Sequence, residues 1–382
     1  MKPPGAVIPV YPTAFGLQRR NGKGSTWRQW FPFSAAGGRW TLTGRVALYH
    51  GLPTLKLPPQ STILVPSYHQ GVEVETLLAA GYRVRYYRVD ERLSIDFSDL
   101  EHRLDRTASA LYVIHYFGFA QPLEPIRRFC EAYRLRLIED CALSLFSRDN
   151  GTWLGSIGDL GLFSVYKTLP LPHGGFLVTK EAHRIAELRA APLASTVAQT
   201  LDLVHYSLRA SRWARVERWV ARSIRWGARI AHWDRSRMIA SGGATWDPRL
   251  LRYNASAWAT WLMRFIDPEV VVAARRANFT RLASHLRGRV PCPVSSLPAG
   301  VCPLFFPIMV PDKIQFQRDL EGLGVRSVNL WDASHPTCPP DLAAEVSHWR
   351  RHCLEIPIHQ ELTPADMDRL ADAVLVAHGR QC

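Results

Sequence analysis

Leu135-Arg-Leu-Ile-Glu-Asp140 reads as an apolar strand ending in a carboxylate, and Phe163-Ser-Val-Tyr-Lys167 with Gly174-Gly175 follows about one helix and loop later. The second segment offers a hydroxyl and an amine, and the glycine pair lets another backbone approach closely. Lysine is scarce: Lys2, Lys23, Lys56, Lys167, Lys180 and Lys313 stand against a large excess of arginine. Lys167 is therefore a candidate reactive amine and Asp140 a candidate buried acid.

On either side of these residues, short apolar runs alternate with amphipathic ones. Thr62 to Val65, Tyr82 to Val89, Leu111 to Ile114, Leu135 to Ile138 and Phe176 to Thr179 read as strands. Val72 to Ala80, Leu100 to Leu104 and Leu123 to Tyr133 read as helices. This alternation predicts an α/β fold with a mainly parallel sheet and helices on both faces. Ligands in such folds gather at the carboxyl ends of the strands, where Asp140 stands. Glu181 to Met263 reads as almost entirely helical. A long helix from about Val270 leads into a second unit with a strand at Leu304 to Val310 and helices at Ile314 to Leu323 and Pro364 to Val376. At 382 residues the chain exceeds one comfortable core. The expected organisation is a large domain over 1–270, with a basic helical segment near 200–235, and a small C-terminal α/β domain over 271–382.

The composition, 47% hydrophobic and 21% charged, is that of a globular chain. The formal net charge of +14 favours anionic partners. Seven cysteines, none in a CxxC pair, suggest neither a zinc site nor a disulfide framework, and no metal is expected. The N-terminus is broken by prolines and lacks a signal-peptide core, and Val301 to Val310 is too short to span a bilayer. A cytoplasmic protein is the expectation, with peripheral contact with a membrane surface as a further reading.

Several segments in order resemble the DegT-type (StrS-like) sugar aminotransferases, which have the aspartate aminotransferase fold (fold type I of the pyridoxal-phosphate enzymes). They are Thr43-Gly-Arg-Val-Ala-Leu48, Val65-Pro-Ser-Tyr-His69, Ile114-His-Tyr-Phe-Gly118, Ile138-Glu-Asp-Cys-Ala142, Gly155-Ser-Ile-Gly-Asp159 and Leu354-Glu-Ile-Pro-Ile-His359. The resemblance implies a pyridoxal 5'-phosphate enzyme moving an amino group from an amino acid, glutamate by analogy, to a keto sugar, nucleotide-linked by analogy. The product would serve a surface polysaccharide or a glycosylated metabolite. It further implies that Thr43, Gly44, Arg45 and Ser164 bind the cofactor phosphate, that Asp140 keeps the ring nitrogen protonated, and that Lys167 forms the Schiff base and moves the proton. Three departures stand out. Lys167 lies closer to Ser164 than in the family pattern, with Leu169 at the usual lysine place. Leu143 replaces a polar residue near the ring hydroxyl. Gln70 replaces the stacking aromatic, so that His69 or Tyr68 is expected to stack instead. Tyr253-Asn-Ala-Ser256 resembles a segment whose asparagine reaches the neighbouring subunit's cofactor, which would make a homodimer; a helix cap is the other reading of Asn254.

Between Arg212 and Trp233, a stripe of Trp219, Trp226 and Trp233 runs beside one of Arg215, Arg218, Arg222, Arg225 and Arg229. Stripes offset by one residue lie about 100° apart on a helix. Three readings are open: docking on the chain's own domain or a dimer mate, contact with an anionic membrane surface, or nucleic-acid binding, for which no reader motif is present. The alternative to an enzyme is a fold relative that no longer transaminates and acts as a binding or scaffolding protein at a membrane surface.

Overall fold

A computed structural model describes residues 7–13, 26–180, 187–209 and 246–381. The strands are β1 (Arg39–Thr41), β2 (Thr62–Pro66), β3 (Arg83–Tyr87), β4 (Ala108–Ile114), β5 (Arg136–Asp140), β6 (Arg148–Asp149), β7 (Thr152–Trp153), β8 (Leu160–Ser164), β9 (Gly175–Thr179), β10 (Phe305–Met309) and β11 (Cys353–Pro357). The helices used below are α1 (Gly44–Gly51), α2 (Val72–Ala79), α3 (Phe97–His102), α4 (Leu123–Tyr133), α5 (Val165–Thr168), α6 (Leu193–Arg209), α7 (Ala257–Leu262) and α8 (Pro268–Leu286).

Strands that are apolar along their whole length must be covered on both faces, and β2, β8 and β9 are buried at every position. They belong to a seven-stranded sheet of order β1-β9-β8-β5-β4-β2-β3. Neighbours from β3 through β8 are parallel, whereas β9 runs antiparallel to both β8 and β1. The chain steps from β2 out to β3 through α2, then crosses back over β2 to β4 through α3. That reversal of direction opens a crevice at the carboxyl ends of β2 and β4, with the end of β5 beside it.

A second core forms around the antiparallel pair β10–β11, where Phe306, Ile308, Leu354 and Ile356 pack with Phe279, Leu282, Phe316, Leu370 and Val374. α8 links the two cores, because Val271 packs in the sheet domain and Phe279 in the second unit. Ile8, expected in the first domain from its place in the chain, is fully buried in the second core and bridges Val325. Within the stretch expected to be helical throughout, the described residues are α-helical only over α6 and α7, with a 3-10 turn at Pro248–Arg252 and a bridge from Arg189 to Tyr253. The Arg212–Trp233 stripes lie outside the described residues. Among the described residues no helix is long and apolar enough to cross a membrane.

Candidate active site

Thr43 has extended backbone (φ −147°) and caps α1, so the first N–H groups of that helix point beyond its end. The Thr43 Oγ1 is buried and has no hydrogen-bond partner among the described residues. A Cβ on Gly44 would lie 2.6 Å from Ser164 Oγ, and one on Gly175 would lie 2.2 Å from the carbonyl carbon of Thr43. Only glycines therefore let the end of β8 and the start of β9 press against the α1 N-terminus. Free N–H groups, two hydroxyls and Arg45 in the first turn together make a site for a phosphate-sized anion.

Asp140, at the carboxyl end of β5, is 8% exposed. Its Oδ2 accepts from the Tyr112 hydroxyl at 2.6 Å and its Oδ1 from the Ala142 N–H at 2.8 Å. Burial raises its pKa, while Tyr112, Ala142 and the Lys167 ammonium work against that rise. Each carboxylate oxygen keeps a further lone pair for a cationic ring N–H. Lys167 sits in α5, a single turn following Ser164. Burial lowers its pKa, Asp140 and Glu73 raise it, and Arg45 lowers it. Glu73, in the first turn of α2, is buried, with its Oε1 accepting from the Gln70 N–H at 2.7 Å. Burial and then Asp140 push its pKa up.

One cavity of about 940 Å³ is lined by Thr43, Gly44, Arg45, Glu73, Tyr112, Asp140, Ser164 and Lys167. α6 adds Gln199 and Asp202 to the wall, and Tyr11 and Pro12 belong to an N-terminal strap across it. Residues 326–333 of the second unit form its roof. Arg350 clasps roof to floor, donating from Nη1 to the carbonyls of His69, Trp331 and Ala333 and from Nη2 to that of Ser67.

The structure thus gathers Thr43, Gly44, Arg45, Asp140, Ser164 and Lys167 into one cavity. It corrects the expectation for His69, which does not line that cavity. His69 is fully buried, with Nδ1 on the Pro66 carbonyl and Nε2 accepting from the His335 N–H. Burial and the nearby Arg350 push its pKa down to about 3, so it is neutral and committed to the domain junction. Tyr68 is likewise buried off the cavity, packed against Trp331 at 5.0 Å between ring centroids, while Gln70 is on the wall. Asn254 is also absent from this wall; its Oδ1 accepts from the Ala255 N–H. Glu73 and Tyr112 went unnoticed in the sequence. The available signals were an acid three residues past Gln70 and a tyrosine two residues before a strand end.

With this geometry in place, comparison with known proteins gives a clear match. Residues 41–202 match the model of the DegT/DnrJ/EryC1/StrS aminotransferase family. The matched stretch contains Thr43, Gly44, Arg45, Glu73, Tyr112, Asp140, Ser164, Lys167, Gln199 and Asp202 of the cavity wall. The chain is 27% identical over 139 residues to GDP-perosamine synthase of Vibrio cholerae, covering 36% of this chain and 38% of that protein. It is 28% identical over 151 residues to UDP-N-acetyl-3-dehydro-alpha-D-glucosamine 3-aminotransferase of Acidithiobacillus ferrooxidans, covering 38% and 41%. The matched stretch thus spans about two fifths of these curated relatives' length. The fold extends further. A DegT DnrJ EryC1 StrS aminotransferase from Brucella abortus superposes with TM-score 0.61 at 19% identity, covering 91% of this chain and 87% of that one. An aminotransferase from Psychrobacter cryohalolentis gives 0.62 at 15%, covering 93% and 90%. The α/β fold is therefore common to them, beyond the matched stretch itself.

Proposed function

We propose that this protein is a pyridoxal-phosphate-dependent aminotransferase acting on a nucleotide-linked keto sugar, with an amino acid such as glutamate as donor. The observation that carries the reading is the meeting, in one cavity, of an unpartnered threonine hydroxyl at a helix N-terminus, a buried aspartate and a partly desolvated lysine. The donor set fits the cofactor. Thr43, the Gly44 N–H, Arg45 and Ser164 would hold the phosphate, and Asp140 would hold the ring nitrogen's proton. Bound there, the cofactor supplies an aldehyde carbon and an electron-withdrawing ring, through which an amino group passes between substrates.

The chain's own residues do the rest. Lys167 Nζ, its proton loosened by burial, accepts and returns the proton that moves during transfer. Asp140, fixed by Tyr112 and Ala142, keeps one orientation throughout. The strap and roof wall the cavity in which the lysine stands. The named activities of the two curated relatives, both concerned with amino sugars, support a sugar substrate here. The product's use in a surface polysaccharide or glycosylated metabolite, and a homodimer in which Asn254 reaches the neighbouring cofactor, belong to the same proposal.

The test is direct. Purified protein reconstituted with pyridoxal phosphate should be yellow, and an amino donor should bleach that absorbance. Lys167→Ala should abolish the lysine-linked colour and lower amination of nucleotide keto sugars by at least about 10³-fold. Protein that takes up no pyridoxal phosphate would overturn the reading.

A further inference from the structure

Among the described residues, three cationic side chains line the cavity: Arg45, Lys167 and Arg326. Arg45 and Lys167 have Glu73 in their surroundings, and Lys167 has Asp140 as well. Arg326, in the roof, has no ion pair and no side-chain hydrogen bond to any described residue. Its backbone, in contrast, is held firmly. The Arg326 N–H donates to the Ile8 carbonyl at 3.1 Å, and Val325 bridges Ile8. Gln317 Nε2 donates to the Ser327 carbonyl at 3.1 Å, and Val328 bridges Glu355. Three polar atoms along the same segment, Ser327 Oγ, Asn329 Oδ1 and Trp331 Nε1, are buried without hydrogen-bond partners, although their residues line the cavity. Trp331 also holds a left-handed backbone (φ +53°), a conformation that costs energy for a tryptophan and is retained at ligand-binding walls.

A guanidinium carried on a firmly held backbone, with hydroxyl and indole donors along its own segment, suits a ligand with two coplanar oxygens of negative charge. We propose that Arg326 heads an oxyanion subsite in the cavity roof, taking either the amino donor's carboxylate or the diphosphate of the nucleotide-linked sugar. The identity of these two ligands rests on the reaction proposed above; the site itself does not. Arg326 lies outside the floor assigned to the cofactor, so the roof holds substrate while the floor holds cofactor.

Calorimetric titration of the full-length protein, as purified and after reconstitution, with glutarate and separately with UDP and GDP tests this. Wild-type protein should bind at least one class of probe. Arg326→Gln should weaken that binding about tenfold or more, with Arg326→Lys intermediate and the melting temperature unchanged. Arg289→Gln, an exposed arginine off the cavity, should leave binding intact. Loss confined to glutarate assigns the subsite to the donor carboxylate, and loss confined to the nucleotides assigns it to the diphosphate. The inference is overturned if wild-type protein binds neither class, if Arg326→Gln binds as tightly as wild type, or if Arg289→Gln loses as much. Uptake of pyridoxal phosphate is read separately by colour, so failure of the subsite and failure of the proposed reaction are distinguishable.

Discussion

Glu73 changes the electrostatics around Lys167 more than any other residue the sequence left unremarked. Two buried carboxylates support the lysine's proton, whereas burial and Arg45 oppose it. Removing one carboxylate therefore lowers the Lys167 pKa further. In cofactor-free Glu73→Gln protein, the pH midpoint for labelling Lys167 with an amine reagent should fall below that of wild type; an unmoved midpoint would show that Glu73 does not act on the lysine. Gly44 carries a steric prediction of equal definiteness. Gly44→Ala places a methyl 2.6 Å from Ser164 Oγ, forcing apart the hydroxyl and the helix end. Affinity for pyridoxal phosphate, measured by fluorescence titration, should fall about tenfold or more while the fold persists. Asp140 was legible in the sequence because it ends an apolar strand, and Thr43 and Ser164 because the segments that hold them resemble a family pattern. Glu73 was not, since an acid in the first turn of a helix ordinarily faces solvent and complements the helix dipole.

At the level of elements, the lysine turn is held from outside itself. α5 is one turn long, too short to be stable alone. The Thr168 carbonyl that follows Lys167 accepts from Arg275 Nη2 at 3.0 Å and from Gln360 Nε2 at 3.2 Å. Arg275, 1% exposed on α8, also donates to the carbonyls of Pro303 and Leu304. Arg275→Lys cannot reproduce that fork and strands buried carbonyls. We expect a loss of about 2–4 kcal/mol in urea unfolding and slower turnover as the lysine turn loosens; unchanged stability would contradict this account. A comparable anchor organises the other side of the sheet. Glu139 Oε1 accepts from the Ile157 and Gly158 N–H groups, and Oε2 accepts from the Gly155 N–H and lies 3.0 Å from His115 Nε2. Burial opposes its charge, yet His115 and these backbone donors hold its pKa below the ordinary value. The strands around Asp140 were readable from apolar runs. Leu160–Ser164 was not, because five uniformly buried residues show no period to distinguish strand from helix.

Across the whole molecule, the two units meet at the cavity roof, and Glu355 makes that junction sensitive to pH. It is fully buried on β11, and its Oε2 accepts from the Leu330 N–H at 3.1 Å. Burial raises its pKa from 4.5 to about 8, against the pull of Lys313. The folded chain then keeps a proton that the unfolded chain releases near pH 4.5. Its contribution to stability is complete below that pH and is lost as pH rises through about 8. The Tm of wild type should therefore decline between pH 5 and pH 8 more steeply than that of Glu355→Gln. Parallel profiles would show that Glu355 ionises normally.

Periodicity, turn residues and motif order are local properties. They were enough to specify an α/β fold with a mainly parallel sheet, an acid at a strand end and a lysine in a short loop before paired glycines. Contacts between residues far apart in the chain were beyond their reach. The domain junction buried His69 against His335 and so withdrew it from the cavity. The sheet register brought Tyr112 to Asp140. The packing of Ile8 on Val325 placed the N-terminal strap and Arg326 beside a cavity whose floor residues all lie more than a hundred positions from Arg326. Burial and electrostatic environment are set by such long-range packing, so the chemistry of Asp140, Lys167 and Glu73 emerges only once the chain has folded.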